Sequence, residues 1–538
     1  MVTKIDFTHK KILVVDDFPE YRRSVKKIFN VLGALDIDDT GSGDDAVEKI
    51  AGKPYDIILC DYNLGTGKRD GQQILEEVKH RNLLRYSACF IMVTAENTMM
   101  MVMGAMEYKP DDYLTKPFTK NALLNRLERI LTRKSDFESV EKAIHRQDYL
   151  AALQACNERI EQKPKNMYEF MRIKADLSIT LGSYEEAEKI YDSIVAIRKV
   201  PWALLGLGKV CFYTQRFFEA RDIFQELVDE HRSLMEAYDW LAKTLDELGD
   251  TKEAQRILSR AVEISPKAIL RQKALAKVAV KNSDLTTAEK SFRSAVDMGK
   301  MSCFKEAGDY TGLAKVLIER KSPEKALEIL EESKKMFEGD PEPTLQTVIV
   351  QGLAYKSMGD EDGLRNALRE SSSLFDSVMS SLAPEASLDM ANSLFHLGEK
   401  DKATKIMQEI VKNNHDNDKL LKKAQTVFDE AGIKDEGSRM IAKTQKEMIS
   451  INNEGVALVK DGKLQEAIEY FKKAASGAPE NKIINSNAAQ AILMFMQKYG
   501  TNDKLIYKVK QYLERIRKVD PSYDKYHSLI ELYQKIVK

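Results

Sequence analysis

Short apolar runs that end on polar residues mark the first quarter of the chain. The apolar runs 12–15, 57–60 and 90–93 directly precede Asp16 with Asp17, Asp61 and Thr94, and a fourth segment, 112–115, precedes Lys116. Brief apolar runs of this kind are typical of strands that are buried on both faces of a parallel sheet. Open parallel sheets place their sites at the carboxyl ends of the strands. The pattern therefore predicts that these polar residues meet at one edge of a sheet.

The acidic residues at these positions suit a divalent cation. Mg²⁺ prefers a few hard oxygen ligands and completes its coordination with water. Asp16, Asp17 and Asp61 offer carboxylate oxygens, and the backbone carbonyl of Asn63 would add one more. A carboxylate can attack a phosphoryl group only when the repulsion between the two anions is cancelled. The pattern thus predicts a magnesium site that accepts a phosphoryl group.

Two further residues suit the oxygens of that phosphoryl group. Lys116 supplies a point charge, and Thr94 supplies a hydroxyl group. A single aspartate at a strand end is most often only a cap. Five such residues in chain order, each behind an apolar run, favour chemistry instead, although a fold kept without chemistry remains the alternative.

In type and order, these residues resemble the receiver domain of two-component response regulators over residues 1–133. The resemblance implies an α/β fold with a five-stranded parallel sheet in the order 2-1-3-4-5. It also implies that Asp16, Asp17 and Asp61 bind Mg²⁺ and that a histidine kinase phosphorylates Asp61. Tyr113 matches an aromatic residue that changes rotamer on activation, or it simply packs on an edge strand. The loop 63–71 departs from the family, since it has no proline and is slightly longer.

Small residues recur at a constant interval farther along the chain. Ala187, Ala220, Ala254 and Ala288 follow one another at steps of 33, 34 and 34 residues. A large residue lies four positions after each of them, and another small residue lies twelve positions before: Tyr191, Phe224, Leu258 and Phe292, then Ala175, Gly208, Ala242 and Ala276. A generic amphipathic helix explains any single instance but not the repeated step.

This spacing resembles the tetratricopeptide repeat, a pair of helices in 34 residues. We therefore expect an all-α superhelical solenoid after the receiver. The predicted parts are repeats 1–5 at 134–300, divergent helix pairs at 301–447, a well-matched repeat at 448–481 and capping helices at 482–538. No Gly, Pro or Ser-rich spacer separates the two halves, so the first repeat should pack directly on the receiver.

Composition restricts the number of domains, the class of partner and the compartment of the protein. The chain has 538 residues, too many for one core, and a formal net charge of -1. That charge gives no general attraction to nucleic acid or to membranes. No apolar run reaches the length of a membrane span, and the five cysteines form no CxxC pair. We expect buried thiols and a cytoplasmic protein without a membrane partner.

The methionine-rich segment 98–106 is predicted to be the fourth receiver helix. Met99, Met100, Met103 and Met106 are candidates for a contact surface because methionine adapts to varied partners. In the receiver family this face commonly mediates dimers, so a homodimer is one expectation. The alternative is that about half of these methionines are core residues.

The expected function is that of a bacterial response regulator without an effector enzyme, in which the phosphorylation state of Asp61 controls dimerisation or protein binding through the repeats. One alternative is a modulator that binds a kinase or a sibling regulator and alters its phosphorelay. Another is nucleic-acid binding through the basic side of the helix near residues 508–518, which is more simply the polar face of a terminal cap. An enzyme within the repeats has no supporting motif.

Overall fold

An α/β domain forms the N-terminal part of the chain. The structure, a computed structural model, describes residues 5–65, 67–85, 87–95, 108–378, 383–520 and 523–537. Its strands are β1 (Lys11–Val15), β2 (Asp36–Thr40), β3 (Ile57–Asp61), β4 (Cys89–Thr94) and β5 (Asp112–Thr115). They form one parallel sheet in the order β2-β1-β3-β4-β5. The predicted fold class and strand order are confirmed.

Helices cover both faces of this sheet. They are α1 (Pro19–Val31), α2 (Gly43–Gly52), α3 (Gly71–His80) and α4 (Lys120–Asp136). Alternate residues of β1 enter different cores: Ile12 and Val14 pack with α1 and α4, whereas Leu13 and Val15 pack with α2 and α3. The central strands are apolar on both sides because neither face meets water.

The remainder of the described chain is helical. Its helices are α5 (Glu138–His145), α6 (Tyr149–Glu161), α7 (Met167–Thr180), α8 (Tyr184–Val195), α9 (Pro201–Tyr213), α10 (Phe217–Glu230), α11 (Met235–Glu247), α12 (Thr251–Ile264), α13 (Ile269–Lys281), α14 (Leu285–Gly299), α15 (Ala307–Glu319), α16 (Pro323–Met336), α17 (Pro341–Met358), α18 (Glu361–Val378), α19 (Pro384–Leu397), α20 (Lys400–Asn413), α21 (Asp418–Glu430), α22 (Lys434–Lys460), α23 (Leu464–Gly477), α24 (Lys482–Tyr499), α25 (Asp503–Val519) and α26 (Asp524–Ile536). Successive helices pair as the repeat interval predicts.

Glycine and large aromatic residues hold neighbouring helices together. The Phe224 ring lies against Gly208 within one repeat, and the Tyr191 ring lies against Gly206 of the next repeat. A side chain at either glycine would overlap the ring. Phe224 also stacks on Trp240 of the following repeat, with ring centroids 6.1 Å apart. The periodic small and large positions are therefore packing partners both within and between repeats.

The turn inside each helix pair uses a left-handed residue. Positive φ angles occur at Gln147, Gly182, Gln215, Gly249, Ser283, Lys321, Gly359, Gly398, Gly432 and Gly462. Glycine adopts this conformation freely, whereas other residues pay about 1 kcal/mol. The sequence reveals the turn at the glycine positions and conceals it at glutamine, serine and lysine.

One long helix explains the irregular segment before the last matched repeat. Helix α22 contains 27 residues, and it closes one helix pair at its start and opens the next at its end. The predicted boundary between residues 447 and 448 therefore lies inside a continuous helix. A helix shared by two repeats removes the turn that would otherwise mark the interval.

The N-terminal domain joins the repeats without a tether. Helix α4 ends at Asp136, three residues beyond the predicted end of the receiver at residue 133, and α5 starts at Glu138. Phe137 between them is buried and stacks on Phe170 at 4.1 Å. Arg133 of α4 also forms an ion pair with Glu169 of α7 at 2.8 Å, so the first repeats contact the end of the receiver directly, as expected.

The chain divides into two compact units. One contains residues 1–179 and 184–309, and the other contains 180–183 and 310–538. The α/β domain and the first repeats thus share one unit. Across the part of the chain that is described, no helix is both long and apolar enough to cross a bilayer.

Replacing Gly208 by alanine should destabilise the protein by about 1–3 kcal/mol, because the added methyl group would lie 2.5 Å from the Phe224 ring. The midpoint of urea unfolding, followed by circular dichroism, measures the loss. The matched control is Gly308→Ala, where the methyl group meets no atom within 4 Å and should be neutral or slightly stabilising. Equal losses in both variants would contradict the packing argument.

Candidate functional site

Three aspartates meet at the carboxyl edge of the sheet. Asp16 and Asp17 follow β1, and Asp61 is the last residue of β3. Because β1 and β3 are adjacent and parallel, their ends lie side by side. One carboxylate oxygen from each of the three residues lies within 4.8 Å of the others. The sequence prediction that these residues converge is correct.

Lys116 bridges two of these carboxylates. Its Nζ atom donates to Asp16 Oδ2 at 2.5 Å and to Asp61 Oδ2 at 2.7 Å. Burial alone would lower the pKa of the Lys116 ammonium, but the hydrogen bonds to the two aspartates raise it overall. The lysine is therefore a fixed cation at the position where the sequence placed it.

The Asp61 carboxyl group lies in a poorly solvated position. Burial raises its pKa, even though Lys116 and the backbone amide of Asn63 donate hydrogen bonds to it. The charged carboxylate therefore costs free energy in the folded protein. A further cation next to Asp61 would reduce that cost.

Asp17 carries the observation that fits a metal ion. Its Oδ1 atom is buried and has no hydrogen-bond partner among the described residues. A buried carboxylate oxygen without a donor is unfavourable unless a cation satisfies it. Together with the oxygens of Asp16 and Asp61, this atom makes a hard-oxygen donor set that fits Mg²⁺.

Thr94 and Tyr113 lie on the neighbouring strands. Thr94 ends β4 and is buried, and its carbonyl oxygen accepts a hydrogen bond from the backbone amide of Lys116 at 2.7 Å. Tyr113 lies in β5 and packs beside the core on the α2 and α3 side of the sheet. Its position fits the packing alternative, and its role as a switch stays a prediction.

The Asn63 carbonyl and the methionine-rich segment are also predicted to take part in the function. Asn63 is exposed, and its side-chain oxygen accepts a hydrogen bond from Gly65 at 3.1 Å, so the use of its backbone carbonyl as a ligand stays a prediction. The methionine-rich segment, with Met99, Met100, Met103 and Met106, lies outside the described residues.

Sequence reasoning missed two residues of α1 beside the site. The Tyr21 ring lies 4.3 Å from Lys116 Nζ, and Arg22 donates to the backbone oxygen of Asp16 at 2.6 Å. Burial, and then the charges of Asp16 and Asp61, raise the pKa of the Tyr21 hydroxyl. Their only sequence signal is their position in the first turn of the helix after the acidic pair.

Comparison with known proteins accounts for both halves of the chain. Residues 12–128 match the response regulator receiver domain, and residues 236–267, 385–416 and 450–481 match the tetratricopeptide repeat. Chemotaxis protein CheY-3 of Vibrio cholerae is 30% identical over 127 residues, which are 23% of this chain and 92% of that protein. The chain belongs to the response regulator receiver family.

Other receivers are similar to the same part of the chain. Chemotaxis protein CheY of Pseudomonas aeruginosa is 29% identical over 123 residues, which cover 23% of this chain and 97% of that protein. A crystal structure of a CheY-like receiver domain from Methanospirillum hungatei JF-1 is 24% identical, covers 24% of this chain and 97% of its own, and has a TM-score of 0.21. The matched family regions show a response regulator receiver in the first part of the chain and tetratricopeptide repeats behind it.

The raised pKa of Asp61 predicts how stability depends on pH in the absence of metal. Between its unfolded and folded pKa values the native carboxyl group holds more proton than the unfolded one, so stability falls as the pH rises through the folded value. Asp61→Asn removes this term. In EDTA buffer, the melting temperature of the variant relative to the wild type should therefore increase from acidic to neutral pH. The exposed Glu48→Gln should show a constant difference, and a constant difference for Asp61→Asn would contradict the analysis.

Proposed function

We propose that Asp61 of this response regulator accepts a phosphoryl group from a histidine kinase and that the receiver state controls protein binding through the repeats. The observation that carries the proposal is the group of three carboxylates within 4.8 Å, with one unpartnered buried oxygen on Asp17 and with Lys116 on Asp61. Three carboxylates beside a single lysine leave negative charge in a poorly solvated place, which a bound cation would offset.

The chemistry follows from these positions. An oxygen of Asp61 attacks the phosphorus atom, the phosphorus–nitrogen bond to the donor histidine breaks, and the released imidazole keeps the bonding electron pair. Mg²⁺ held by Asp16, Asp17 and Asp61, with the carbonyl of Asn63 as a further ligand, would offset the negative charge of the reacting groups. Lys116 neutralises a phosphoryl oxygen.

The response is proposed to start with the residues around the new phosphoryl group. Thr94 donates its hydroxyl to a phosphoryl oxygen, and Tyr113 follows that movement by changing rotamer. Lys116 gives up its hydrogen bond to Asp16 and binds the phosphoryl group instead. Such a local change of charge shifts a domain between two packed states. We retain residues 133 and 134 as the division between receiver and repeats.

The output is proposed to be protein binding. Receivers take their phosphoryl group from kinases, and tetratricopeptide repeats bind other proteins, so this architecture implies a kinase donor and a protein partner. In the proposal the receiver state either changes dimerisation or changes the access of a partner to the repeats. No separate effector domain is recognised in the matched regions.

Acetyl phosphate with Mg²⁺ should add one phosphoryl group to the purified chain, which intact-mass spectrometry measures, and the variants below should assign it to Asp61. Asp61→Asn should abolish the addition because the nucleophilic oxygen is lost. Lys116→Ala should reduce it because the cation that contacts Asp61 is lost. Glu48→Gln serves as the carboxylate control and should react as the wild type does. Unchanged labelling of Asp61→Asn would overturn the assignment of the acceptor.

Mg²⁺ alone should stabilise the receiver by occupying the acidic group. At a concentration about 100-fold above its dissociation constant the gain is about 2.7 kcal/mol, measured as a rise in the melting temperature. Asp17→Asn should lose most of this gain because it removes the carboxylate with the unpartnered oxygen. Glu48→Gln should keep the gain, and equal responses of both variants would argue against the proposed site.

A further inference from the structure

One face of α3 in the receiver is covered by the chain's own repeats, within the same compact unit. Gln73 Nε2 lies 3.5 Å from the backbone oxygen of Met298. Glu76 accepts hydrogen bonds from the Ser302 hydroxyl and from the Cys303 thiol, whose sulfur lies 3.5 Å from Oε1. Glu76 and Ser302 are both buried. The residues 298–304, here called the docking segment, thus satisfy a buried carboxylate of the receiver.

Aromatic and ionic contacts extend this interface at the far end of α3. The Phe304 ring packs edge-on to His80 at 5.5 Å and parallel to Tyr108 at 6.5 Å. Lys109 Nζ lies 3.2 Å from Glu236 Oε2 on α11. The neighbouring lysines, Lys109 and Lys209, lower the pKa of the Glu236 carboxyl group against the opposing effect of burial.

At the near end of α3 the interface reaches the loop behind the acceptor. Lys267 Nζ lies 3.3 Å from Asp70 Oδ2 and 4.9 Å from the centre of the Tyr62 ring. Tyr62 directly follows Asp61, and Asp70 caps the first turn of α3. One lysine of the repeats therefore contacts both ends of the loop that starts at the acceptor.

The backbone of α3 is also fixed to the acceptor. The amide of Gly71, the first residue of α3, donates to the Tyr62 carbonyl at 2.9 Å. A Cβ atom at Gly71 would overlap the carbonyl oxygen of Asp61. Only a glycine allows this approach, so a displacement of the acceptor backbone is passed directly to the helix that carries the interface.

The docking segment is itself held to the repeats. Lys273 is buried and donates to the backbone oxygen of Phe304 at 2.5 Å, and it lies 2.8 Å from Asp309. The segment is thus positioned by α13 and does not depend on the receiver for its anchor. It offers a preformed surface for α3.

We propose that the α3 face is a docking surface for the chain's own segment 298–304, and that loading of Asp61 with a phosphoryl group releases it. Lys267 of the repeats contacts both ends of the loop that carries the Asn63 carbonyl, and the Gly71 amide joins that loop to α3. A metal ion that uses this carbonyl would shift the loop, so docking opposes loading. This release rests on the proposed function, whereas the docked interface is independent of it.

Coupling of this kind is reciprocal. If loading weakens docking, a weaker interface must increase the affinity of the acceptor site for its ligand by the same factor. Lys267→Ala removes the contact with Asp70 and Tyr62 while leaving the acceptor residues intact. Its affinity for beryllofluoride in the presence of Mg²⁺ should exceed that of the wild type by roughly fivefold or more. The matched control is Lys252→Ala, an exposed lysine of α12.

Cys303 gives a direct readout in the full-length protein. Burial and the Glu76 carboxylate raise the pKa of its thiol to about 12, so the docked thiol reacts slowly. Alkylation by iodoacetamide, followed by peptide mass spectrometry, measures the rate at each cysteine. Beryllofluoride with Mg²⁺ should accelerate alkylation of Cys303 by roughly fivefold or more, whereas Cys156 and Cys211, buried within the repeats, should not change.

The outcomes separate the two proposals. Loading of Asp61 with an unchanged rate at Cys303 overturns the release and leaves the proposed function intact. If beryllofluoride with Mg²⁺ does not load Asp61, both the proposed function and the proposed release are overturned. The docked interface is then judged by the variant Lys267→Ala. In the unloaded protein this variant should increase the rate of Cys303 alkylation relative to Lys252→Ala. An unchanged rate there overturns the interface. Asp61→Asn should show no response to beryllofluoride.

Discussion

The charge balance at the acidic edge of the receiver depends on the contact of one ammonium group with two buried carboxylates. Lys116 lies on Asp16 and Asp61 at the edge of the sheet, and Asp17 adds a third carboxylate whose buried oxygen has no donor among the described residues. Several like charges in a poorly solvated place are unfavourable unless cations compensate them. One lysine compensates only part of that charge. The site is therefore folded in a form that favours a further cation, and any ligand that brings one must displace or share the lysine.

Much of this site could be predicted because its signals are local. Most site residues follow an apolar run, and parallel strands bring their ends together whatever the rest of the chain does. Asp16, Asp61, Thr94 and Lys116 could thus be assigned from short stretches. Tyr21 could not, because its contact with Lys116 depends on how α1 crosses the sheet. No apolar pattern specifies that crossing.

In the repeats, too, contacts between residues close in the sequence could be predicted, whereas contacts between distant residues could not. The interval of small and large residues predicts helix pairs because Gly208 and Phe224 are packing partners within one repeat. The interval fails where one helix serves two repeats, as α22 does. The interface with α3 was not foreseen at all. Lys267 and Asp70 are 197 positions apart, and nothing in the sequence near either residue identifies the other.

The two attachments of the receiver differ in kind, and this difference decides which of them can open. At the junction the chain is continuous, and Arg133 of α4 pairs with Glu169 of α7 at 2.8 Å. At α3 the contacts are all noncovalent: hydrogen bonds to the buried Glu76, the packing of Phe304, and partly exposed ion pairs that water replaces at small cost. A change at Asp61 therefore acts on the weaker attachment, to which Gly71 connects it directly.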